Sequence, residues 1–193
     1  MIFGLIFKGK MIHYFYTDKV FSSCLYFMTK LSSYIIQTWS NNPILRTPSE
    51  NIELITDEIR LFCQDLLKLM RKNKWVGLAA PQVGENIRVI STSQREKKKT
   101  KDKLLGEIIM INPNIIERSK ETILREEACI SLPNCTGMVK RHKAITVEFL
   151  DIQGKKQAKK YKEFNAVIIQ HEIDHLDGIL FMDRVVKPKS GKK

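Results

Sequence analysis

The stretch Gln170-His171-Glu172-Ile173-Asp174-His175 determines how the rest of the chain is interpreted. Two histidines four residues apart lie on one face of a helix, so both imidazoles can reach the same ion. Glu172 directly follows the first histidine and is placed to handle a proton. The pattern is the H-E-x-x-H of metal-dependent hydrolases, where the histidines are ligands and the glutamate is the general base.

The residues before the motif predict that its helix is buried. Phe164, Val167 and Ile168 lie seven, four and three residues before His171 and form one apolar helical face. Gly178 follows the motif and is expected to end the helix. An unpaired imidazole is costly inside a protein, so this burial favours metal ligation over two ordinary core histidines.

Two histidines do not complete such a site, which takes three protein ligands and leaves one position for water. Phe181 stands where the extended downstream pattern has its third histidine, and no glutamate follows Glu172. We therefore expect the third ligand upstream. Cys129 is the best candidate and Cys135 the second, although a cysteine taken alone is more often a small buried hydrophobe.

The rest of the chain predicts a mixture of helix and strands. In residues 49–73, apolar side chains recur at intervals of three and four residues, which predicts a helix. The small-residue stretch 75–84 is either a packed turn, which its composition favours, or a loop that approaches a ligand, with Gln82 donating an amide N–H to a buried oxygen. Strands are expected at 86–92, 106–116, 119–127, 145–151, 156–162 and 179–182.

Composition bounds the class of protein. A length of 193 residues fits one domain, and 33 lysines and arginines against 21 acidic residues give a net charge of +12. Such a charge predicts an anionic neighbour such as RNA, the ribosome or a membrane surface, and solvated lysines explain it equally well. Four cysteines suit a reducing compartment with one ligating thiolate better than a disulfide scaffold.

The termini differ from the middle of the chain. Residues 1–27 are hydrophobic and aromatic, without arginine or a clear cleavage site, so signal and transit peptides fit them poorly. We expect an untranslated or disordered extension there, a catalytic domain over 28–186 and a disordered basic tail over 187–193. No apolar run approaches the ~20 residues that span a bilayer, so no membrane contact by a spanning helix is expected.

Three separated motifs, taken together, resemble the peptide deformylase family. They are Gly77-Leu78-Ala79-Ala80-Pro81-Gln82, Glu127-Ala128-Cys129-Ile130-Ser131 and His171-Glu172-Ile173-Asp174-His175, and the resemblance extends from about residue 42 to residue 186. It implies an α+β fold with antiparallel sheets packed around a central metal-bearing helix. It also implies an enzyme that removes the formyl group from the N-terminal formyl-methionine of nascent polypeptides and releases formate.

The resemblance assigns roles to residues of this chain. Glu172 becomes the acid and base that activates a metal-bound water, and Gln82 and the backbone N–H of Ile130 face the substrate carbonyl. One divalent cation is implied, with Fe2+ favoured and Ni2+, Co2+ or Zn2+ also compatible. The metal ligands implied are Cys129, His171 and His175.

The implied substrate is an N-formylmethionyl peptide, bound as an added strand with its side chain in an apolar slot. Two glycines of the family pattern are replaced here by Trp75 and Ala128, which puts substrate preference in doubt more than chemistry. A monomer in the bacterial cytoplasm is expected, or an organelle if residues 1–27 are a targeting segment. The substrate-binding residues implied are Val76, Gly77, Ala128, Phe164, Val167 and Ile168.

Two other classes of function stay open on the sequence. One is a structural zinc module with a closed site made by Cys129, Cys135, His171 and His175. The other is a basic, ribosome-binding relative without deformylase activity, or a relative acting on another acyl group. The first would lose its metal when Cys135 is removed, and the second would fail to turn over formyl-methionyl peptides.

Overall fold

The structure, a computed structural model, describes residues 6–7, 10–11, 34–96 and 103–186. The chain divides into two units, 1–34 and 35–193. In the smaller unit, strands β1 (Ile6–Phe7) and β2 (Lys10–Met11) pair antiparallel. Most of the predicted extension over 1–27 and all of the predicted basic tail over 187–193 lie outside the described residues, so both domain limits stay predictions.

The larger unit is built from two antiparallel sheets and a central helix. One sheet has the strand order β3-β4-β5-β8-β9, and the other consists of β6 and β7. This arrangement confirms the predicted α+β class. The elements are α1 (Pro43–Arg46), α2 (Asp57–Lys72), β3 (Gly77–Ala79), β4 (Val89–Glu96), β5 (Lys103–Arg118), β6 (Thr122–Cys129), β7 (Leu132–His142), β8 (Ala144–Leu150), β9 (Lys156–Lys162) and α3 (Glu163–Leu176), with 3-10 turns at Ala80–Val83 and Phe181–Arg184.

Helix α3 is buried on nearly all sides, which explains why apolar residues surround its polar motif. One side packs on the five-stranded sheet through Ala166, Ile169, Ile173 and Leu176. Gln170 fixes α3 to the end of β7, because its side-chain oxygen accepts from the N–H of His142 at 3.0 Å and its amide donates to the His142 carbonyl at 2.9 Å. The sheet residues of this core are Ala79, Ile90, Met110, Ile145, Val147, Phe149 and Tyr161.

Helix α2 is shorter than the predicted 49–73. It begins after Thr56, whose hydroxyl accepts from the N–H of Ile59 at 3.4 Å and so supplies a cap. Acidic residues occupy its first turn and basic residues its last, as the helix dipole favours. Cys63 is fully buried on its apolar face, and burial raises the pKa of this thiol to about 12.

The expected last strand over 179–182 is wrong. Residues Phe181–Arg184 form a 3-10 turn, because the Asp183 carboxylate accepts from the N–H of Leu180 at 2.8 Å and closes it. Leu180 and Phe181 are buried against Leu132 and Val139 of β7. No helix in the part of the chain that the structure describes has the length and apolar character to cross a membrane.

Candidate metal centre and active site

Two elements bring the predicted ligands together. Helix α3 places His171 and His175 one turn apart, with ring centroids 5.1 Å from each other. Strand β6 ends at Cys129, whose Sγ lies 3.2 Å from His175 Nε2. One ligand atom from each of the three residues lies within 4.8 Å of the others. The geometry therefore assembles the thiol and the two imidazoles that the sequence suggested.

The donor set fits a divalent cation. One sulfur and two imidazole nitrogens are the ligand types that zinc, iron, cobalt and nickel accept, and three protein ligands leave a coordination position free. Cys135 is exposed on β7 and does not belong to this cluster. A closed site that also uses Cys135 is therefore not favoured, and the open three-ligand arrangement is.

A buried ionic network holds the first histidine in place. His171 Nδ1 lies 2.8 Å from Glu127 Oε2, which leaves Nε2 available to bind a cation. Arg141 donates two hydrogen bonds to the Glu127 carboxylate, at 2.8 and 2.9 Å, and a third to Asp174. Arg184 also binds Asp174, at 2.5 and 2.7 Å. The negative charges of two carboxylates and the positive charges of two guanidiniums thus compensate one another next to the predicted ligands.

The network shifts the pKa values of its members. Burial alone would raise the pKa of Glu127, but hydrogen bonds from Arg141 and His171 outweigh it and lower that pKa to about 2. Burial lowers the pKa of His171, yet its hydrogen bonds to Cys129 and Glu127 overcome burial and raise the pKa to about 10. Burial and the nearby His171 hold the pKa of His175 well below its usual range. The Glu127 carboxylate therefore favours positive charge at His171, whereas burial disfavours it at His175.

Glu172, which directly follows His171, is a buried carboxylate. It is 4 % exposed, and its Oε2 has no hydrogen-bond partner within the described residues. Burial raises its pKa to about 7, the range in which a group can both accept and donate a proton at neutral pH. Its other oxygen packs against the backbone of Gly77: a Cβ built there would lie 2.2 Å from Glu172 Oε1. A glycine is therefore required beside this carboxylate.

Gln82 is locked in position from both ends of its amide. Its Oε1 accepts from the N–H of Ala79 at 2.8 Å, so Nε2 turns toward Ser131 Oγ at 3.2 Å and Cys129 Sγ at 3.4 Å. The 3-10 turn Ala80–Val83 carries the side chain into the core, where Gln82 is buried. An N–H donor of Gln82 therefore points at the cluster of Cys129, His171 and His175, and its role toward a ligand stays a prediction.

A cavity of about 750 Å³ opens beside the cluster. It runs between β3 and β6, with α3 as its floor, and every residue expected to bind substrate lines it. Trp75 and Ala128, which depart from the family pattern, also line it. The predicted residues around it are Val76, Gly77, Gln82, Ala128, Cys129, Ile130, Phe164, Val167, Ile168, His171 and Glu172.

Several members of this site, among them Arg141 and Asp174, were not predicted from the sequence. Asp174 lies inside the helical motif, and its position between the two histidines was the available signal for a structural role. Ser131 stands in the second motif, but its partner Gln82 lies 49 residues away, and Arg184 lies outside all three motifs. Arg125, on the cavity wall, was also missed.

Comparisons with known proteins agree with this geometry. The sequence profile of the family described as polypeptide deformylase matches residues 34–191. A peptide deformylase from Finegoldia magna is 37% identical over 146 residues, covering 76% of this chain and 86% of the relative. Peptide deformylase 2 from a Nostoc species is 40% identical over 146 residues, covering 75% and 82%.

A solved structure shows the same fold. The class I type b peptide deformylase from Acinetobacter baumannii, crystallised with Met-Ala-Ser bound, superposes with a TM-score of 0.72 at 31% identity. The match covers 78% of this chain and 97% of that one. From the matching profile, the identity to curated relatives and the shared fold, it follows that this chain belongs to the polypeptide deformylase family.

Proposed function

We propose that this chain is a metal-dependent amide hydrolase that removes the formyl group from the N-terminal formyl-methionine of nascent polypeptides. The observation that carries the proposal is the cluster of Cys129, His171 and His175 at the inner end of a cavity, with Glu172 beside it. The overall reaction breaks the formyl C–N bond, joins the oxygen of water to the formyl carbon, and releases formate and a free amine.

Cys129, His171 and His175 would hold one divalent cation, for which we propose Fe2+, with Ni2+, Co2+ and Zn2+ as substitutes. A cation bound there supplies Lewis acidity to the substrate carbonyl and lowers the pKa of a coordinated water. The Cys129 thiolate offsets part of the cation's charge, and Glu127 orients His171 through Nδ1. The ligand set by itself is compatible with several of these metals.

Glu172 serves as the general base and then as the general acid. In its ionised form it accepts a proton from the attacking water, and it later gives that proton to the leaving amine. Burial supports this double role because it raises the pKa of Glu172 to about 7, close to the working pH. Burial also shields the proton transfer from bulk water.

The Gln82 side-chain amide and the backbone N–H of Ile130 donate hydrogen bonds that stabilise the negative charge developing on the formyl oxygen. The Gln82 amide is already oriented by Ala79 and Ser131, so it needs no rearrangement during the reaction. Ile130 lies in the two-residue turn between β6 and β7 and lines the same cavity. Loss of one such donor typically costs about 10²–10³ in rate.

The peptide binds between two sheet edges. Strand β3 ends the five-stranded sheet and β6 belongs to a two-stranded sheet, so each leaves one edge toward the cavity. We propose that the backbones of Gly77 and Ala128 pair with the substrate main chain, which gives affinity with little sequence preference. The methionine side chain then occupies the apolar slot formed by Val76, Phe164, Val167 and Ile168.

The wider setting is also proposed. The protein acts as a monomer in the cytoplasm, and its net charge of +12 favours contact with ribosomal RNA near emerging chains. Sedimentation with ribosomes at low and high salt tests the contact, because an electrostatic complex dissociates as salt rises. Pelleting that is equal at both salt concentrations, or absent at both, contradicts it.

The decisive test of the activity is formate release from formyl-Met-Ala-Ser by the full chain, loaded with Fe2+ under oxygen-free conditions. The same protein loaded with Ni2+ guards against loss of iron by oxidation. Turnover of the formyl peptide, with no release of acetate from acetyl-Met-Ala-Ser, is the expected result. A folded, metal-loaded protein that releases no formate would contradict the proposal.

A further inference from the structure

The far end of the cavity carries a cation that the proposed reaction does not use. Arg125 lies on β6 two residues before Glu127, so both side chains point to the same face of the strand. The burial pattern agrees: Arg125 is half-buried and Glu127 buried, whereas Leu124 before them and Glu126 between them are exposed. Arg125 therefore projects inward, onto the cavity wall.

The Arg125 guanidinium rests on an aromatic ring. Its Cζ lies 5.8 Å from the centroid of the Phe164 ring, within the range of a cation–π contact. Its Nε is buried and has no hydrogen-bond partner within the described residues. A buried N–H without an acceptor is unfavourable, so an acceptor brought by a ligand would bind there with a gain.

The position of this pair matches the reach of the substrate side chain. Phe164 precedes His171 by seven residues, which is about 10 Å along α3. In formyl-methionine the sulfur lies five bonds from the formyl carbon, about 6 Å when extended. A methionine whose formyl group sits at the metal cluster therefore passes Val167 and Ile168 and directs its sulfur toward Phe164 and the guanidinium.

We propose that Arg125 is a specificity-determining residue that lets this enzyme deformylate peptides beginning with formyl-methionine sulfoxide. The inference rests on the proposed function. A thioether sulfur is a weak acceptor, whereas a sulfoxide presents a polar oxygen that an arginine N–H can bind. A wholly apolar slot would exclude that oxygen, because burying it without a donor is costly. The bonds made and broken are those of ordinary deformylation, and the sulfoxide leaves unchanged.

The test compares kcat/KM for three peptides that differ only at the first side chain. They are formyl-Met-Ala-Ser, formyl-Met(O)-Ala-Ser and formyl-norleucine-Ala-Ser, where norleucine keeps the shape of methionine without the sulfur. The wild type should turn over the sulfoxide peptide within about tenfold of the methionine peptide. In Arg125→Leu the sulfoxide-to-methionine ratio should fall about tenfold or more, whereas the norleucine-to-methionine ratio should stay constant.

Two matched variants separate a hydrogen bond from charge or packing. Arg125→Lys keeps a donor and should retain part of the sulfoxide turnover. Lys74→Ala removes another cation of the same cavity wall and should leave the ratio unchanged. Binding of the product Met(O)-Ala-Ser to the metal-loaded protein, measured by calorimetry, gives a second readout that does not depend on turnover.

The outcomes are distinguishable. If Arg125→Leu lowers kcat/KM equally for all three peptides, or leaves the sulfoxide-to-methionine ratio unchanged, Arg125 only packs in the cavity wall and the inference is overturned. If the metal-loaded wild type turns over none of the peptides, the proposed function fails. In that case, tighter binding of Met(O)-Ala-Ser than of Met-Ala-Ser, lost in Arg125→Leu, would still support a sulfoxide-binding pocket at Arg125. Equal binding of the two peptides would overturn the inference.

Discussion

Replacing Gly77 with alanine provides the most direct test of how the Glu172 carboxylate, the proposed general base, is held. The added Cβ would lie 2.2 Å from Glu172 Oε1, 2.7 Å from its Cδ and 2.9 Å from its Cγ. Favourable contacts between such atoms begin at about 3.5 Å. The end of the Glu172 side chain must therefore retreat by about 1 Å, because the backbone of α3 is buried and cannot follow.

The expected effect of Gly77→Ala is on turnover more than on metal binding. A misplacement of about 1 Å in a catalytic group costs on the order of 10²-fold in rate. Metal content should stay near that of the wild type, because the substitution does not touch Cys129, His171 or His175. The assay is kcat for formate release from formyl-Met-Ala-Ser, normalised to the metal bound in each preparation.

A second glycine supplies the control. A Cβ at Gly137 would lie 2.4 Å from Val185 Cγ2, which is a similar crowding that involves neither Glu172 nor a predicted metal ligand. Gly137→Ala should lower the melting temperature and leave kcat per bound metal nearly unchanged. If Gly77→Ala kept kcat within about threefold of the wild type with its metal in place, the tight packing of Gly77 on Glu172 would have no catalytic meaning.

Four further results are expected. Glu172→Gln should retain metal and lose about 10²–10⁴ in kcat, as removal of a general base does, whereas loss of the metal would mark Glu172 as structural. Cys129→Ala should abolish metal binding, measured by elemental analysis, and Cys135→Ala should spare it. Because the folded pKa of Glu127, about 2, lies below its ordinary value of 4.5, its pairing stabilises the fold above that value and is lost as pH falls from about 4.5 toward 2. Urea unfolding of the metal-free protein across that range should show the loss, and Glu127→Gln should flatten it; an unchanged slope would contradict the assignment. Arg141→Leu leaves buried carboxylates unpaired and should cost about 3–5 kcal/mol in the free energy of unfolding.

Strand β7 shows where prediction from sequence failed. Its first half contains Pro133, Asn134 and Gly137, residues that strands disfavour, so no strand was expected there. Pairing with β6 outweighs these preferences over the register from Thr122 with His142 to Cys129 with Leu132. The position of Gly137 also has a packing reason, since Val185 fills the space above it.

The strand predicted over 179–182 is wrong for the opposite reason: the local pattern suggested a strand where none forms. The run Ile179-Leu180-Phe181-Met182 is apolar, and a short apolar run does not by its pattern distinguish a strand from a buried turn. A 3-10 turn forms instead, because the Asp183 carboxylate accepts from the N–H of Leu180 and because Leu180 and Phe181 are buried. Both outcomes depend on neighbours that are remote along the chain.

By itself, the sequence determined the chemistry available to this protein. The spacing of His171 and His175 places them on one helical face, because a helix repeats every 3.6 residues, and Glu172 comes with them. That information is local and can be read from six consecutive residues.

Only the tertiary structure decided which distant groups meet that helix. It brought Cys129 rather than Cys135 to the imidazoles, packed Gly77 against Glu172 and stacked Arg125 on Phe164. These contacts join residues separated by tens of positions along the chain. They form because the two sheets bury the apolar surface around α3, and no local pattern specifies which strand end lies beside which turn of the helix.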